Sequence, residues 1–377
     1  MGDLLGQPHP SYRGVALETL ARETHDLLVV GGGITGVAIA RKAALRGMRV
    51  ALVERDDLAS GTSGRSSRLI HGGLRYFKQG HLAFVRKSIR AQAALARQAP
   101  RLVRPIDFLV PTYADGPYRS GVVRAVMGLF RAAHAGLGRL AYEDLDASEC
   151  LACAPWLRPE GLLGGFRYRE FMTHDARLVA ETAIGARECG ASVLNYVVAD
   201  ELLEAQGRVT GARVRDRLTG EAFDVRARIV VNAGGPWADA IDGNRRLRLS
   251  KGVHLVVPRE RTPITEPLVL FSPRDARSVF AIPTARFVFV GTTETEHEGA
   301  PDDVSVEPVD VDYLLEALHH TVPLGLGRGD IVASWAAVRP LLEGTARDPG
   351  MLCRDYAVVR GRGGVISVLG GKLSLHR

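Results

Sequence analysis

The sequence predicts an α/β protein with two sheets, on three observations. A short apolar strand runs into a glycine-rich turn and a helical pattern near residue 30; strand-like and helix-like segments then alternate along the chain; and several strands crowd together between residues 253 and 290. The first feature belongs to a parallel βαβ unit and the last to an antiparallel or mixed sheet. We therefore expect a nucleotide-binding domain assembled from separated segments, 25–105, 170–242 and 351–377. A substrate domain with a mixed or antiparallel sheet, 106–169 and 243–350, is inserted between them, and residues 1–24 form an N-terminal arm. At 377 residues the chain accommodates this, since domains commonly run to about 150 residues.

The opening unit is the most informative. Leu27 to Val30 reads as a buried strand, Gly31-Gly32-Gly33-Ile34-Thr35-Gly36 as a turn, Val37 to Arg46 as a helix, and Arg49 to Val53 as a second strand ending at Glu54. This is G-x-G-x-x-G between strand and helix, with an acidic residue 18 positions after the last glycine, the context of a Rossmann-like dinucleotide site. Gly31 suits the tight turn, Gly33 the approach of a pyrophosphate, and Gly36 the packing of helix on strand. Free N–H groups and the dipole at the helix start favour the anion, with Ile34 and Thr35 in the first turn. Glu54 suits a ribose, and the motif by itself leaves NAD and FAD open.

Further strands are expected at Ser192 to Val198, Arg208 to Arg215, Ala227 to Val231, Val253 to Val257, Ser278 to Ile282, Arg286 to Val290, Ala357 to Val359 and Val365 to Leu369. Helices are expected at Leu82 to Arg97, Ser120 to Ala135, Asp175 to Glu188 and Asp310 to His319. No repeat of fixed period is evident.

Composition narrows the class. With 46% hydrophobic and 24% charged residues, neither disorder nor a membrane bundle is expected. The net charge of +7 suits an anionic partner. The basic residues are spread along the chain without a recognisable module, so nucleic acid is not the expected one. Residues 1–26 lack an apolar stretch of the secretory kind, and position 6 is Gly6 where a myristoylation signal needs Ser or Thr. The 4 cysteines are too few for a disulfide framework, so a reducing, cytoplasmic setting is expected; Cys150 and Cys153 form a lone C-x-x-C without the second pair of a zinc ribbon.

Between Ser60 and Tyr76 the chain combines Thr62, Ser63, Ser66 and Ser67 with Leu69, His71-Gly72-Gly73 and Arg75-Tyr76. Here it resembles the FAD-dependent glycerol-3-phosphate dehydrogenase family, of the quinone-linked aerobic type, within the D-amino-acid oxidase superfamily. Further matches follow in order: His174-Asp175-Ala176-Arg177-Leu178, Val231 to Trp237, Lys251-Gly252-Val253-His254, Gly291-Thr292-Thr293, Val338-Arg339-Pro340-Leu341, Arg354-Asp355-Tyr356 and Gly370-Gly371-Lys372-Leu373. The resemblance covers about residues 25 to 377 and implies FAD as cofactor and oxidation of glycerol 3-phosphate to dihydroxyacetone phosphate.

Such a reaction needs a hydride acceptor, a route for the carbinol proton and counter-charges for a phosphate. Arg75, Arg339, Arg354 and Lys372 are the expected phosphate clamps. His254 is the expected acid/base; alternatively Arg339 holds the developing alkoxide, with Tyr76, Thr292 and Thr293 bonding the glycerol part. Thr62, Ser63, Ser66, Ser67 and Leu69 are expected along the cofactor, Gly234 near its adenine side, and Gly371, Lys372 and Leu373 at the flavin's pyrimidine edge.

The family motif usually continues Gly-Gly-Lys-Leu-Thr-Thr-Tyr-Arg, whereas this chain ends Lys372-Leu373-Ser374-Leu375-His376-Arg377 without the helix and helical C-terminal domain of many members. A short variant or a fragment is expected. Glu294 stands where Asp is more usual, and Val253 replaces a small hydroxyl residue. Between Arg119 and Tyr142 no acidic residue occurs, and arginines alternate with Val122, Val126, Leu129, Phe130 and Leu137. That pattern suits a basic amphipathic helix lying on an anionic membrane, as in quinone-reducing members, or packing on the second domain. The oligomeric state is open, with a homodimer one option. The competing functions are a flavin oxidase of another small anionic hydroxy or amino acid, and an inactive flavin-binding module.

Overall fold

The structure, a computed structural model, describes residues 12–73, 82–118, 120–133, 142–344, 352 and 354–376. Arg75, Tyr76 and Leu137 lie outside the described residues.

Two sheets organise these residues. The first runs in the order Tyr356–Arg360, Ile366–Gly370, Ala222–Asn232, Thr24–Val30, Val50–Val53, Ser192–Leu194. Its centre is parallel: Thr24–Val30 pairs in parallel with both Ala222–Asn232 and Val50–Val53. Such strands are buried on both faces, which is why Leu27 to Val30 is apolar without alternation. Leu27 and Val29 pack under Val37, Ala40, Val179 and Ala183 of the helices Ile34–Ala44 and Asp175–Glu188. Leu28 and Val30 pack on the other side with Leu20 of the helix Tyr12–Arg22.

The second sheet runs Thr295–His297, Leu247–Pro258, Phe287–Gly291, Ser278–Pro283, Leu268–Phe271, Val103–Tyr113, Leu162–Thr173, Leu69–Ile70, with Ala333–Leu342 beside Leu247–Pro258. It is largely antiparallel. The helix Pro308–Thr321 covers one face through the buried Leu314 and Leu318. The strand Leu162–Thr173 and its short partner Leu69–Ile70 carry the second sheet into segments that also flank the first. The loop around residues 60–68 is thereby held between the two.

The mixed α/β architecture with two sheets agrees with the expectation, and so do the helices at Leu82–Gln98, Ser120–Ala133, Asp175–Glu188 and Pro308–Thr321. The strand expected at Ser192 to Val198 is two strands, because Tyr196 adopts φ 56°, a left-handed conformation that ends a strand. Val103–Tyr113 escaped notice because Pro105 and Pro111 interrupt its apolar pattern.

The amphipathic helix needs a correction. Phe130 does not face outward: it is fully buried, with Met127, against Phe166, Tyr168 and Ile89. Val122 and Leu129 are the exposed apolar residues of that helix, beside Arg124 and Arg131. Cys150, Cys153 and Cys189 are free thiols, and burial pushes Cys150 up to about 12. Among the described residues no helix is long and apolar enough to cross a membrane.

Candidate active site

The parallel strands Thr24–Val30 and Ala222–Asn232 end at the mouth of one cavity of about 650 Å³. A crevice beyond the carboxyl ends of parallel strands is where this type of sheet binds ligands.

The first sheet supplies one wall. Gly31 has φ 112°, a conformation closed to other residues, and a Cβ at Gly36 would overlap the Gly31 carbonyl, so the helix sits directly on the turn. Gly33, Ile34 and Thr35 line the cavity at the start of the helix, whose first turn has no acidic residue. The Ile34 N–H donates to Ser63 Oγ at 3.0 Å. Glu54 also lines the cavity; it accepts the Gly32 N–H at 2.6 Å and the Asp56 N–H at 2.9 Å, and burial raises its proton affinity. It therefore shapes the turn as well as facing the ligand space. Gly234 lines the same end, its N–H donating to the Asn232 side chain at 3.1 Å.

The hydroxyl-rich loop joins the walls. Thr62 Oγ1 donates to the Val338 carbonyl at 2.6 Å, and Ser66 donates from both N and Oγ to Asp175 at 3.0 and 2.8 Å. Ser67 Oγ lies 2.9 Å from His254 Nε2. Thr62, Ser63, Ser66, Ser67 and Leu69 all line the cavity. Gly371, Lys372 and Leu373 line it as well, after the strand Ile366–Gly370, with Leu373 opening a single 3-10 turn at Leu373–Leu375.

The second sheet supplies the opposite wall. His254 sits at a register position opposite Gly291 on one neighbour and Trp335 on the other, and its ring stacks on Trp335 at 4.8 Å. Burial, reinforced by Arg339 and Arg68, pushes His254 down to about 3, so it is neutral across the physiological range. Its Nδ1 has no hydrogen-bond partner among the described residues.

Arg339 is fixed by donation from Nη2 to Thr292 Oγ1 at 2.8 Å and to the Thr293 carbonyl at 3.2 Å, and from Nη1 to the Lys251 carbonyl at 3.2 Å. A Cβ at Gly252 would overlap its guanidinium, which explains the glycine between Lys251 and Val253. Arg354 pairs with Glu294, the residue that departs from the family pattern.

Thr293 is a correction. It is 2% exposed and its hydroxyl accepts the Val253 N–H at 3.0 Å, so it braces the sheet and does not reach the cavity wall. His254, Thr292, Arg339, Arg354 and Lys372 are all brought to the cavity. Val197 to Leu202, Trp237 and Glu170 line it too and were not among the expected site residues; the first group reads as ordinary strand, Trp237 closes the Val231 to Trp237 motif without a role assigned to it, and no local pattern sets Glu170 apart.

A glycine turn at a helix start, an acidic residue at the neighbouring strand end and a continuous cavity leading to polar groups of a second sheet define a dinucleotide-dependent oxidoreductase. The residues fit FAD: the acid-free helix start would hold a pyrophosphate, Glu54 would face a ribose, and the same cavity is lined by Val197, Trp237, His254 and Lys372. The chain belongs to the FAD-dependent oxidoreductase family, whose model matches residues 26–374, and FAD is its cofactor. It is 35% identical over 369 residues to the aerobic glycerol-3-phosphate dehydrogenase of Staphylococcus aureus, covering 96% of this chain and 66% of that one. Against the enzyme of that name from Staphylococcus haemolyticus it is 36% identical over 97% of this chain and 67% of the other.

Among solved structures it is similar to the glycerol-3-phosphate dehydrogenase of Bacillus halodurans complexed with FAD, at TM-score 0.78 and 33% identity, over 98% of this chain and 65% of that one. Glycine oxidase from Bacillus cereus shares the fold at TM-score 0.69 and 20% identity, over 94% of each chain. The chain thus spans about two thirds of the length of its glycerol-3-phosphate dehydrogenase relatives.

Proposed function

We propose that this protein oxidises sn-glycerol 3-phosphate to dihydroxyacetone phosphate, the first sheet holding FAD and the second holding the substrate. The observation that carries the reading is the convergence of Arg339, Arg354 and Lys372, with the neutral His254, on one cavity that also contains the glycine turn. The names of the relatives support it. FAD, when bound, supplies the acceptor for the hydride leaving the carbinol carbon.

The protein's own residues do the rest. Guanidinium and ammonium groups lining that cavity counter a phosphate dianion and fix the glycerol part, which limits the orientations of its carbinol hydrogen. As that hydrogen leaves, the hydroxyl oxygen gains negative charge. Arg339, already locked by Thr292 and two carbonyls, is preorganised to stabilise it. His254 enters the reaction neutral and able to accept a proton, but its depressed basicity makes it a weak base alone. We therefore assign charge stabilisation to Arg339 and proton acceptance to His254, with Ser67 as its hydrogen-bonded neighbour.

Electrons then pass to quinone or another acceptor. Exposed Leu129 near Arg131 suits contact with an anionic membrane surface carrying such an acceptor, whereas Val122 lines the cavity and Arg124 pairs with Asp144. Anaerobic stopped-flow flavin reduction tests the main reading: glycerol 3-phosphate should bleach the flavin far faster than glycerol. Equal rates would replace it with a generic oxidase.

A further inference from the structure

Glu170 is a carboxylate buried at 2% exposure in the wall of the cavity, and none of the steps above uses it. It lies on the strand Leu162–Thr173, opposite the apolar Ile106 of the neighbouring strand. Its oxygens accept the Gly72 N–H at 3.2 and 3.0 Å and a hydrogen bond from Gln92 Nε2. The same Gln92 nitrogen donates to the Ile70 carbonyl at 2.8 Å, and Lys372 Nζ donates to the His71 carbonyl at 3.3 Å. One stretch, residues 70–72 at the end of the strand Leu69–Ile70, is therefore held by a buried carboxylate, an amide and the ammonium of a cavity-lining lysine.

Among the described residues the charged and titratable groups around Glu170 are few. Lys372 comes from the segment after the strand Ile366–Gly370, Tyr168 from its own strand, and His71 from the segment it holds; the helix Leu82–Gln98 contributes the neutral Gln92. A carboxylate taken out of water and given mainly neutral donors keeps its charge only marginally. Burial pushes Glu170 up to about 7, with Gly72, Gln92 and Lys372 opposing.

We propose that Glu170 is a positioning residue that couples anion binding at Lys372 to proton uptake: ionised, it holds the His71–Gly72 segment, and it takes a proton from solvent when a phosphate ester settles against Lys372. An anion there cancels the ammonium's field at Glu170 and adds its own, both of which favour the neutral acid. The inference rests on the phosphate-ester reading of the site.

The test titrates the FAD-loaded protein with dihydroxyacetone phosphate, which does not reduce the flavin, and reads the flavin absorbance change. In wild type the Kd should weaken about tenfold between about pH 6.5 and pH 8.5, a range above the phosphate's own ionisation near pH 6. Glu170→Gln should bind with a Kd flat within about twofold across it. A Glu170 that merely braces the fold would lower thermal stability and leave the slope unchanged, and that result overturns the proposal. Lys372→Met separates the two levels. If it weakens binding while the Glu170→Gln slope matches wild type, only the coupling falls; if it binds like wild type at every pH, the anion reading at Lys372 falls and the coupling with it. Should Glu170→Gln fail to retain FAD, Gln92→Leu serves in its place: stripping a donor from the carboxylate should move the weakening to higher pH, and an unmoved midpoint overturns the proposal.

Discussion

The turn at residues 31–36 and the wall around His254 and Arg339 are built on opposite terms. The turn is local: six consecutive residues, a helix start and the end of the next strand make most of a pyrophosphate site by backbone geometry alone. The wall is assembled from residues 67, 254, 292, 339, 354 and 372, each held by a different strand or loop, and its chemistry lies in side chains. Backbone recognition tolerates much change in side chains but none in the glycines. Side-chain recognition depends on a network in which each member is braced by another, as Arg339 is by Thr292 and His254 by Ser67 and Trp335.

The sharpest way to break this contrast is to place a side chain at a glycine in each region. Gly36→Val drives into the Gly31 carbonyl, and we expect complete loss of bound FAD, read from the visible spectrum of the purified protein. Gly252→Ala drives a methyl into the Arg339 guanidinium and should leave FAD content near wild type while substrate-driven flavin reduction collapses. If both variants lose FAD equally, the two regions are one cooperative unit and the contrast is wrong.

Next in size is Phe130→Ala, which empties a fully buried ring site beneath the second sheet and should cost about 3–5 kcal/mol, seen as a large drop in Tm. Arg339→Ala should lose about 2–4 kcal/mol of transition-state stabilisation, on the order of 30-fold or more in kcat/KM, with Lys a poor substitute for the braced fork. A loss confined to KM would recast Arg339 as a binding residue only.

The buried His254 makes the wall acid-sensitive. Its proton affinity is lower folded than unfolded, so the stability it permits is complete above about pH 6.5 and is lost as pH falls toward 3, at about 1.4 kcal/mol per unit. His254→Gln should flatten that limb of a denaturant-monitored pH profile; an unchanged limb would assign the acid sensitivity elsewhere. Smallest of all is Leu129→Asp. At 60% exposure it should change stability by no more than about 0.5 kcal/mol while reducing flotation with anionic vesicles, and unchanged flotation removes that helix from any membrane contact.

The two regions also differ in how legible they are. Gly31, Gly33, Gly36 and Glu54 declare themselves by spacing because the turn and both strands that frame it lie within one short stretch of chain. Long helices such as Asp175–Glu188 announce themselves likewise through periodicity. The strands Val103–Tyr113 and Leu162–Thr173 did not, since prolines and paired glycines break their pattern and their stability comes from partners distant in sequence. Phe130 reads as part of an exposed apolar face until Tyr168 and Ile89 are seen around it. Thr292 and Thr293 are adjacent and chemically identical, yet one hydroxyl meets Arg339 and the other a backbone N–H inside the sheet.

What the sequence determined alone is whatever depends on neighbours along the chain: the α/β class, the nucleotide turn, the set of basic motifs and, through their order, the family. Only the tertiary structure decided which of those cations share a cavity, that Glu294 already engages Arg354, that His254 is held neutral, and that Glu170 stands buried within the field of Lys372. The reason is physical. Backbone conformation follows from local sterics and hydrogen bonding, whereas the charge state and reach of a side chain follow from the dielectric and the partners around it, and those are supplied by strands hundreds of residues apart in the chain.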